Sequence, residues 1–166
     1  YTVSLTVSGD GGSDTETKTE YITVYEPAVA NFSATPTDGI APLAVTFTDL
    51  STGDIDTWQW DFDNDATVDS TVQNPVYTYT SSGIYSVSLS VSGPGGSDSI
   101  TKTNYITVYE PAAADFSATP LSGPAALAVT FTDLSTGDID TWQWDFDSDT
   151  VIGSTEQNPT YTYDTS

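Results

Sequence analysis

Four aspartates near the middle of the chain have a spacing that suits a metal ion. Asp61, Asp63, Asp65 and Asp69 occupy relative positions 1, 3, 5 and 9. Side chains at alternate positions of an extended chain leave the same face, and a turn that curls this face inward brings their carboxylates together. Oxygen ligands at positions 1, 3 and 5 are typical of calcium loops. We therefore predict that these four aspartates bind Ca²⁺.

A second loop repeats most of this pattern. Asp145, Asp147 and Asp149 again occupy positions 1, 3 and 5, but Gly153 stands at position 9, and Glu156 supplies an acid at position 12. We predict that the three aspartates and Glu156 are the ligands of the second loop. Since the two loops differ in their fourth acid, a tolerant, oxygen-rich loop is favoured over one fixed ligand set.

The alternative for both loops is that their acids are solvated turn residues without a metal ion. Aspartate is common in turns, and position 6, usually glycine in a calcium loop, is Ala66 in the first loop and Thr150 in the second. Asp49, Asp54 and Asp56 form another acidic set, for which we expect a solvated loop.

The overall composition excludes most other chemistry. The chain has 166 residues with no His, Cys or Met, and 24 acidic residues against two basic ones, Lys18 and Lys102, which gives a net charge of -22. The usual acid–base, thiol and arginine chemistry is missing, so we predict that the chain is not an enzyme and has no catalytic residues. Duplication in a repeat also argues against a glycosidase carboxylate pair. Nucleic acid is excluded as a partner by the charge, and no apolar run predicts a membrane span.

One sequon is present. Asn31-Phe32-Ser33 makes Asn31 a candidate N-glycosylation site, with a chance match as the equally weighted alternative. The aligned residue of the second copy is Asp115, so glycosylation is not a property of the repeat.

An internal repeat organises the chain. At an offset of 84 residues, Leu43–Asp63 is identical to Leu127–Asp147. Proline follows Tyr25-Glu26 and Tyr109-Glu110, which places boundaries there. We therefore predict the last strands of a preceding repeat in 1–26, a complete repeat in 27–110 and the first strands of a following repeat in 111–166. The segment would then begin and end inside repeats.

The complete repeat has the pattern of a β-sandwich. Leu43, Val45 and Phe47 alternate with Ala44, Thr46 and Thr48, which is the period of two of half-buried strands. Further strands are expected at 31–35, 57–62, 76–79, 85–91 and 99–109, with no helical spacing anywhere. About seven short strands separated by turn residues predict an all-β, antiparallel, immunoglobulin-like sandwich.

Several spaced motifs resemble those of the polycystic-kidney-disease (PKD) domain. They are Asn31-Phe-Ser-Ala-Thr-Pro36, Ala41-Pro-Leu-Ala-Val-Thr-Phe-Thr-Asp49, Trp58-Gln-Trp-Asp-Phe62, Asn74-Pro75 with Tyr77-Thr-Tyr79, and Gly83-Ile-Tyr-Ser-Val-Ser-Leu-Ser-Val91. The resemblance implies tandem sandwiches in extracellular proteins, among them archaeal surface-layer proteins, where they serve as spacers, adhesion units or structural units. One difference is that the family's Asp-Phe-Gly-Asp-Gly is replaced by alternating aspartates in both copies.

These observations together predict an extracellular or cell-surface structural or adhesive array. Short linkers would make the tandem sandwiches a stiff rod or filament, stabilised by Ca²⁺ and built from copies of the same repeat. Terminal parts of neighbouring copies would complete each other, within one chain or between subunits. The alternative is a spacer or accessory module of a secreted enzyme, with a surface glycan or a protein as its ligand.

Overall fold

The structure is a computed structural model that describes residues 1–164. All regular secondary structure in these residues is β-strand, so the all-β prediction is confirmed. The strands are β1 (Val3–Gly9), β2 (Gly12–Lys18), β3 (Phe32–Thr35), β4 (Asp38–Ile40), β5 (Leu43–Asp49), β6 (Thr57–Asp61), β7 (Val76–Tyr79), β8 (Gly83–Gly93), β9 (Gly96–Tyr109), β10 (Phe116–Thr119), β11 (Leu127–Asp133) and β12 (Thr160–Tyr163).

The described residues form four sheets. β1 and β2 make a hairpin, β3-β5-β7 and β10-β11-β12 are three-stranded sheets, and β4-β9-β8-β6 is a four-stranded sheet. One pair departs from the predicted antiparallel arrangement, because β4 runs parallel to the end of β9, with Asp38 opposite Thr107. Three residues between two prolines are too short to show a strand period, so the sequence pattern did not predict β4.

The chain divides into two compact units. One comprises Tyr1–Thr37, Ala44–Tyr77 and Ile84–Ile106, and the other comprises Asp38–Leu43, Thr78–Gly83 and Thr107–Ser166. No helix of the described residues has the length and apolar character needed to cross a membrane.

The first unit has an aromatic core. Phe32, Phe47, Trp60 and Phe62 are buried, and the rings of Phe32 and Trp60 meet edge to face with centroids 5.2 Å apart. Aliphatic side chains of β8 complete this core, so the inward half of the predicted alternation is confirmed. In the second unit Val129 and Phe131 are buried on β11.

Candidate functional site

The first acidic loop begins where β6 ends, at Asp61. Its buried carboxylate accepts backbone N–H bonds from Asn64 (2.6 Å) and Asp65 (3.2 Å) on Oδ1 and from Ala66 (2.9 Å) on Oδ2. An aspartate that binds the backbone a few residues onward is a common way to close a tight turn. Asp61 therefore organises the loop through both of its carboxylate oxygens.

Three of the four predicted ligands in this loop come together. Asp61, Asp63 and Asp65 each offer an oxygen within 4.8 Å of the others. Asp69 is not in this group, and its Oδ2 accepts the backbone N–H of Phe62 at 2.8 Å. Position 9 thus closes the loop onto the end of β6.

The second loop repeats this geometry with the same outcome. Asp145, Asp147 and Asp149 form a group within 4.8 Å, and Glu156 is outside it. The carboxylate of Asp145 accepts N–H bonds from Ser148 (2.7 Å) and Thr150 (2.9 Å), as Asp61 does from the aligned residues. The alternating aspartates therefore specify one loop conformation in both copies.

Position 6 of both loops has a backbone conformation that favours glycine. Ala66 has a φ of 72° and Thr150 a φ of 73°, both in the left-handed region. Asn64 and Ser148, at position 4, are also left-handed, with φ of 60° and 63°. The left-handed conformation at position 6 is thus adopted without glycine, at a conformational cost that is largest for the β-branched Thr150.

The loop acids differ in their protonation equilibria. Burial raises the pKa of Asp63, and the negative charge of Asp65 raises it further, with smaller effects from Asp69 and Asp61. Burial also opposes ionisation of Asp145, but N–H bonds from its own loop outweigh burial and lower the pKa of Asp145. A cation beside Asp63 would reduce the part of this shift that comes from the neighbouring carboxylates.

The residues fit a hard cation in chemistry but only partly in number. Carboxylate oxygens suit Ca²⁺, which takes six to eight oxygen ligands. Both oxygens of Asp61 already accept N–H bonds, whereas Asp63 and Asp65 each bond through Oδ1. A cation in this loop would be held mainly by Asp63 and Asp65, with water completing its shell.

Asp49, which we expected in a solvated loop, instead ties three segments together. Its Oδ2 accepts bonds from Trp58 Nε1 (2.7 Å) and Gln73 Nε2 (3.0 Å), and its Oδ1 accepts one from the backbone of Ser51. Burial opposes ionisation, but these bonds outweigh it and lower the pKa of Asp49. Asp133 holds the aligned residues of the second copy in the same way.

Asp54 holds a predicted linker. Its Oδ2 accepts the N–H of Glu26 at 2.7 Å, and its own N–H donates to the carbonyl of Glu26 at 3.2 Å. Glu110 and Asp138 make the same pair of bonds in the second copy. Sequence reasoning did not identify this contact, although the repetition of both acids at the same offset was a signal for it.

Lys102 is a structural cation whose role was not predicted from the sequence. Its Nζ donates to the carbonyl of Phe32 and lies 4.7 Å from the ring centroid of Phe32 and 4.9 Å from that of Tyr105. The other basic residue, Lys18, is its counterpart in the repeat and lies 4.8 Å from the ring of Tyr21. Both basic residues of the chain therefore occupy one repeat position.

The candidate glycosylation site is exposed. Asn31 immediately precedes β3, and its Oδ1 accepts the N–H of Phe32 at 2.9 Å. Glycosylation of Asn31 stays a prediction.

A family comparison decides the relationship of this chain. The model described as PKD domain matches residues 26–108. The chain belongs to the PKD domain family. The predicted resemblance and the immunoglobulin-like PKD fold class are thereby confirmed, while the domain boundaries at 27 and 110 stay predictions.

Several solved structures are similar to this PKD protein. The PKD1 domain of Vibrio anguillarum Epp is 28% identical, with 51% of this chain and 99% of that chain covered and a TM-score of 0.42. The PKD1 domain of the Vibrio cholerae metalloprotease PrtV is 35% identical, with coverage of 49% and 96% and a TM-score of 0.40. A structure of carbohydrate-binding modules from the β-sandwich superfamily is 24% identical, with coverage of 64% and 54% and a TM-score of 0.44. Comparison with curated proteins gave no match.

Proposed function

We propose that this chain is a non-catalytic, extracellular PKD array that acts as a stiff spacer or structural rod. The observation that carries this proposal is the paired hydrogen bonding of Glu26 with Asp54, repeated by Glu110 with Asp138. A linker residue that is bonded through both its N–H and its C=O has little freedom to rotate. Each pair fixes the linker residue against the repeat that follows it, and a linker held in this way favours a stiff spacer.

Close packing around the linker adds to this restraint. A Cβ added to Gly95 would lie 1.9 Å from the carbonyl oxygen of Glu26, and one added to Gly53 would lie 2.2 Å from that of Pro27. Gly53 also has a left-handed φ of 100°. Both positions therefore require glycine for the linker to lie against the neighbouring turns.

NMR relaxation of the intact chain tests the spacer role. We expect backbone order parameters of about 0.85 at Glu26 and Glu110, as in rigid backbone. Asp54→Ala should lower the value at Glu26 and leave Glu110 unchanged, which makes the second linker an internal control. Order parameters below about 0.6 at both linkers of the wild-type chain would contradict a stiff spacer.

We further propose that the acidic loops bind Ca²⁺ and that the cation stabilises the array. Support comes from the grouped oxygens of the two aspartate triplets. Burial raises the pKa of Asp63, and the negative charge of Asp65 adds a repulsion that a cation would reduce. Isothermal titration calorimetry of wild type and Asp63→Asn tests this, with Asp10→Asn, a turn acid outside both loops, as the matched control. Heat that is the same for all three proteins, or no thermal shift on chelation, would contradict calcium binding.

The accessory-module alternative differs from the rod in requiring a ligand. As part of a secreted enzyme, the chain would bind a surface glycan or a protein. A glycan array probed with the intact chain separates the two functions, because a spacer predicts no sugar selected above background. Reproducible binding to one glycan class would favour the accessory role.

A further inference from the structure

A polar groove of about 430 Å³ lies on the sheet face of β6, β8 and β9 that points away from the core. Its lining comes from all three strands, with Thr57 and Gln59 of β6, residues 90–92 of β8 and residues 97–99 of β9. These strands are neighbours in the order β9-β8-β6, so the groove runs across the sheet. Ligand sites in proteins commonly enclose about 300–1,000 Å³, so the groove has room for a small ligand.

Strand alternation explains why this lining is polar. Trp60 and Leu89 are buried in the core and lie opposite each other, so Gln59 and Ser90, which are also opposite each other, lie on the outer face. Serine side chains are short, and a row of them leaves space above the sheet. The sequence pattern that buries one face of these strands therefore also forms the groove on the other.

Part of the lining is already hydrogen-bonded. The hydroxyls of Thr57 and Ser92 lie 2.6 Å apart, and Asp98 Oδ2 accepts the N–H of Ala30 at 2.8 Å. In the described part of the chain, no hydrogen bond engages four other side chains of the lining, Gln59, Ser90, Ser97 and Ser99. The groove therefore presents amide and hydroxyl groups that can both donate and accept, and Asp98 adds its second carboxylate oxygen as an acceptor.

The composition of the lining narrows the class of ligand. Among the described residues that line the groove there is no aromatic or basic side chain, and Val91, the one apolar residue, is buried. An apolar ligand would find little apolar surface there. A phosphate, sulfate or carboxylate would find no cation and would be repelled by the net charge of -22. A neutral ligand with many hydroxyl groups can satisfy the donors and acceptors together.

A cationic amine is the competing class, because the chain is acidic. The groove holds one carboxylate, Asp98, whereas each acidic loop groups three. A cation is therefore attracted more strongly to the loops than to the groove. Neutral hydroxyl groups gain nothing from the loops and fit the groove.

The lining belongs to the repeat and not to one copy. At the offset of 84 residues, six of its eight residues recur unchanged, as Val7, Ser8, Ser13, Asp14, Thr141 and Gln143. The two that change, Ser90 and Ser99, become Thr6 and Thr15, so the hydroxyl is kept in both. An array would then carry the same polar groups in each repeat, and weak sites on one array add up through avidity.

We propose that this groove binds a neutral glycan, as a short stretch of an uncharged polysaccharide. The amide of Gln59 and the hydroxyls of Ser90, Ser97 and Ser99 exchange hydrogen bonds with sugar hydroxyls, and Asp98 accepts one more. This inference deepens the accessory-module function proposed above, on which it rests, by naming the class of its ligand and the residues that bind it.

NMR titration of the ¹⁵N-labelled intact chain tests the proposal. The probes are neutral oligosaccharides prepared from dextran, mannan and galactan, with oligogalacturonate as the anionic and chitosan oligomers as the cationic comparison. We expect at least one neutral probe to shift the amides of 57–59, 90–92 and 97–99. Its affinity should be the same at low and at moderate salt, because no charge on the ligand contributes.

Single substitutions locate the site. Gln59→Ala and Ser99→Ala should each weaken binding about three- to tenfold, since each removes hydrogen bonds to the ligand. Thr101→Ala is the matched control for Ser99→Ala, because Thr101 is exposed on β9 two residues away and lies outside the lining, and it should bind as wild type. All three residues are exposed, so the urea midpoints of the variants should match that of wild type.

The outcomes separate the groove from the function on which it rests. If no neutral probe shifts the amides of the groove or any others, both the groove and a glycan-binding accessory role are overturned, and rigid linkers would still support the spacer. A neutral probe that binds elsewhere, or binds Gln59→Ala and Ser99→Ala as tightly as wild type, would overturn the groove and leave the accessory role. A preference for chitosan oligomers that weakens with salt would overturn the neutral class of ligand.

Discussion

Replacing Phe32 and Phe116 by alanine, one at a time, compares the same residue of the repeat in two surroundings. Phe32 has no exposed surface and contacts the rings of Phe47, Trp60 and Tyr105 at centroid distances of 6.4, 5.2 and 5.7 Å. Truncating a fully buried phenylalanine costs about 3–5 kcal/mol of unfolding free energy. That loss is comparable to the whole stability of a small domain.

Phe116 should be far less sensitive in the monomeric chain. It is 59% exposed, so about two fifths of its surface is buried, and the side chain's full burial is worth about 1.5–3 kcal/mol. The expected cost of Phe116→Ala is therefore about 1 kcal/mol. The sequences that flank the two phenylalanines are nearly the same. The difference in stability loss therefore reports the packing around each side chain and not the local strand propensity.

Urea unfolding followed by NMR provides the assay. Methyl signals of Val45 report the first repeat and those of Val129 report the second, and both valines are buried. We expect Phe32→Ala to lower the midpoint at Val45 strongly and Phe116→Ala to lower the midpoint at Val129 slightly. Equal losses from the two substitutions would refute the reasoning.

Three further outcomes follow from single contacts. Thr150→Gly should raise stability by about 1 kcal/mol by relieving the left-handed strain, whereas Thr162→Gly in extended β12 should lower it by a similar amount, as thermal unfolding will show. Lys102→Met should cost about 1.5–3 kcal/mol in urea unfolding, because a charged donor to the Phe32 carbonyl is lost, and an unchanged midpoint would refute this role. The pKa of Asp49 is lowered on folding, so the Asp49 carboxylate stabilises the fold above its unfolded pKa of about 3.9, and this stabilisation is lost as the pH falls through the folded pKa. In urea unfolding, the stability difference between wild type and Asp49→Asn should therefore shrink in that pH window and stay constant between pH 6 and 8.

The strands were largely predictable from the sequence because their alternation is strict. Val45 and Phe47 face inward and Thr46 and Thr48 face outward, which is the pattern that a half-buried strand requires. Strand β4 was not predictable in this way, since three residues cannot show a period. Its parallel pairing with β9 depends on a tertiary contact.

The acidic residues were harder to assign because carboxylates serve two purposes in this chain. Asp61, Asp63 and Asp65 lie together, as their spacing predicted. The spacing could not show that both carboxylate oxygens of Asp61 accept hydrogen bonds from backbone N–H groups. Asp54 looked like another loop acid, and its bond to Glu26 spans a separation of 28 residues. Local sequence patterns do not show such a long-range bond, and its only signal in the sequence is that Glu26 and Asp54 both recur at the offset of 84 residues.

Hydrogen exchange of the two identical segments, 57–61 and 141–145, tests the central claim, which is that pairing with the β8–β9 hairpin decides whether this sequence forms a strand. Amides of 57–61 and 141–145 have the same intrinsic exchange rates, and peptides that extend past Asp63 and Asp147 distinguish them by mass. We predict slow exchange in 57–61 and fast exchange in 141–145. Protection of 141–145 equal to that of 57–61 would contradict the account.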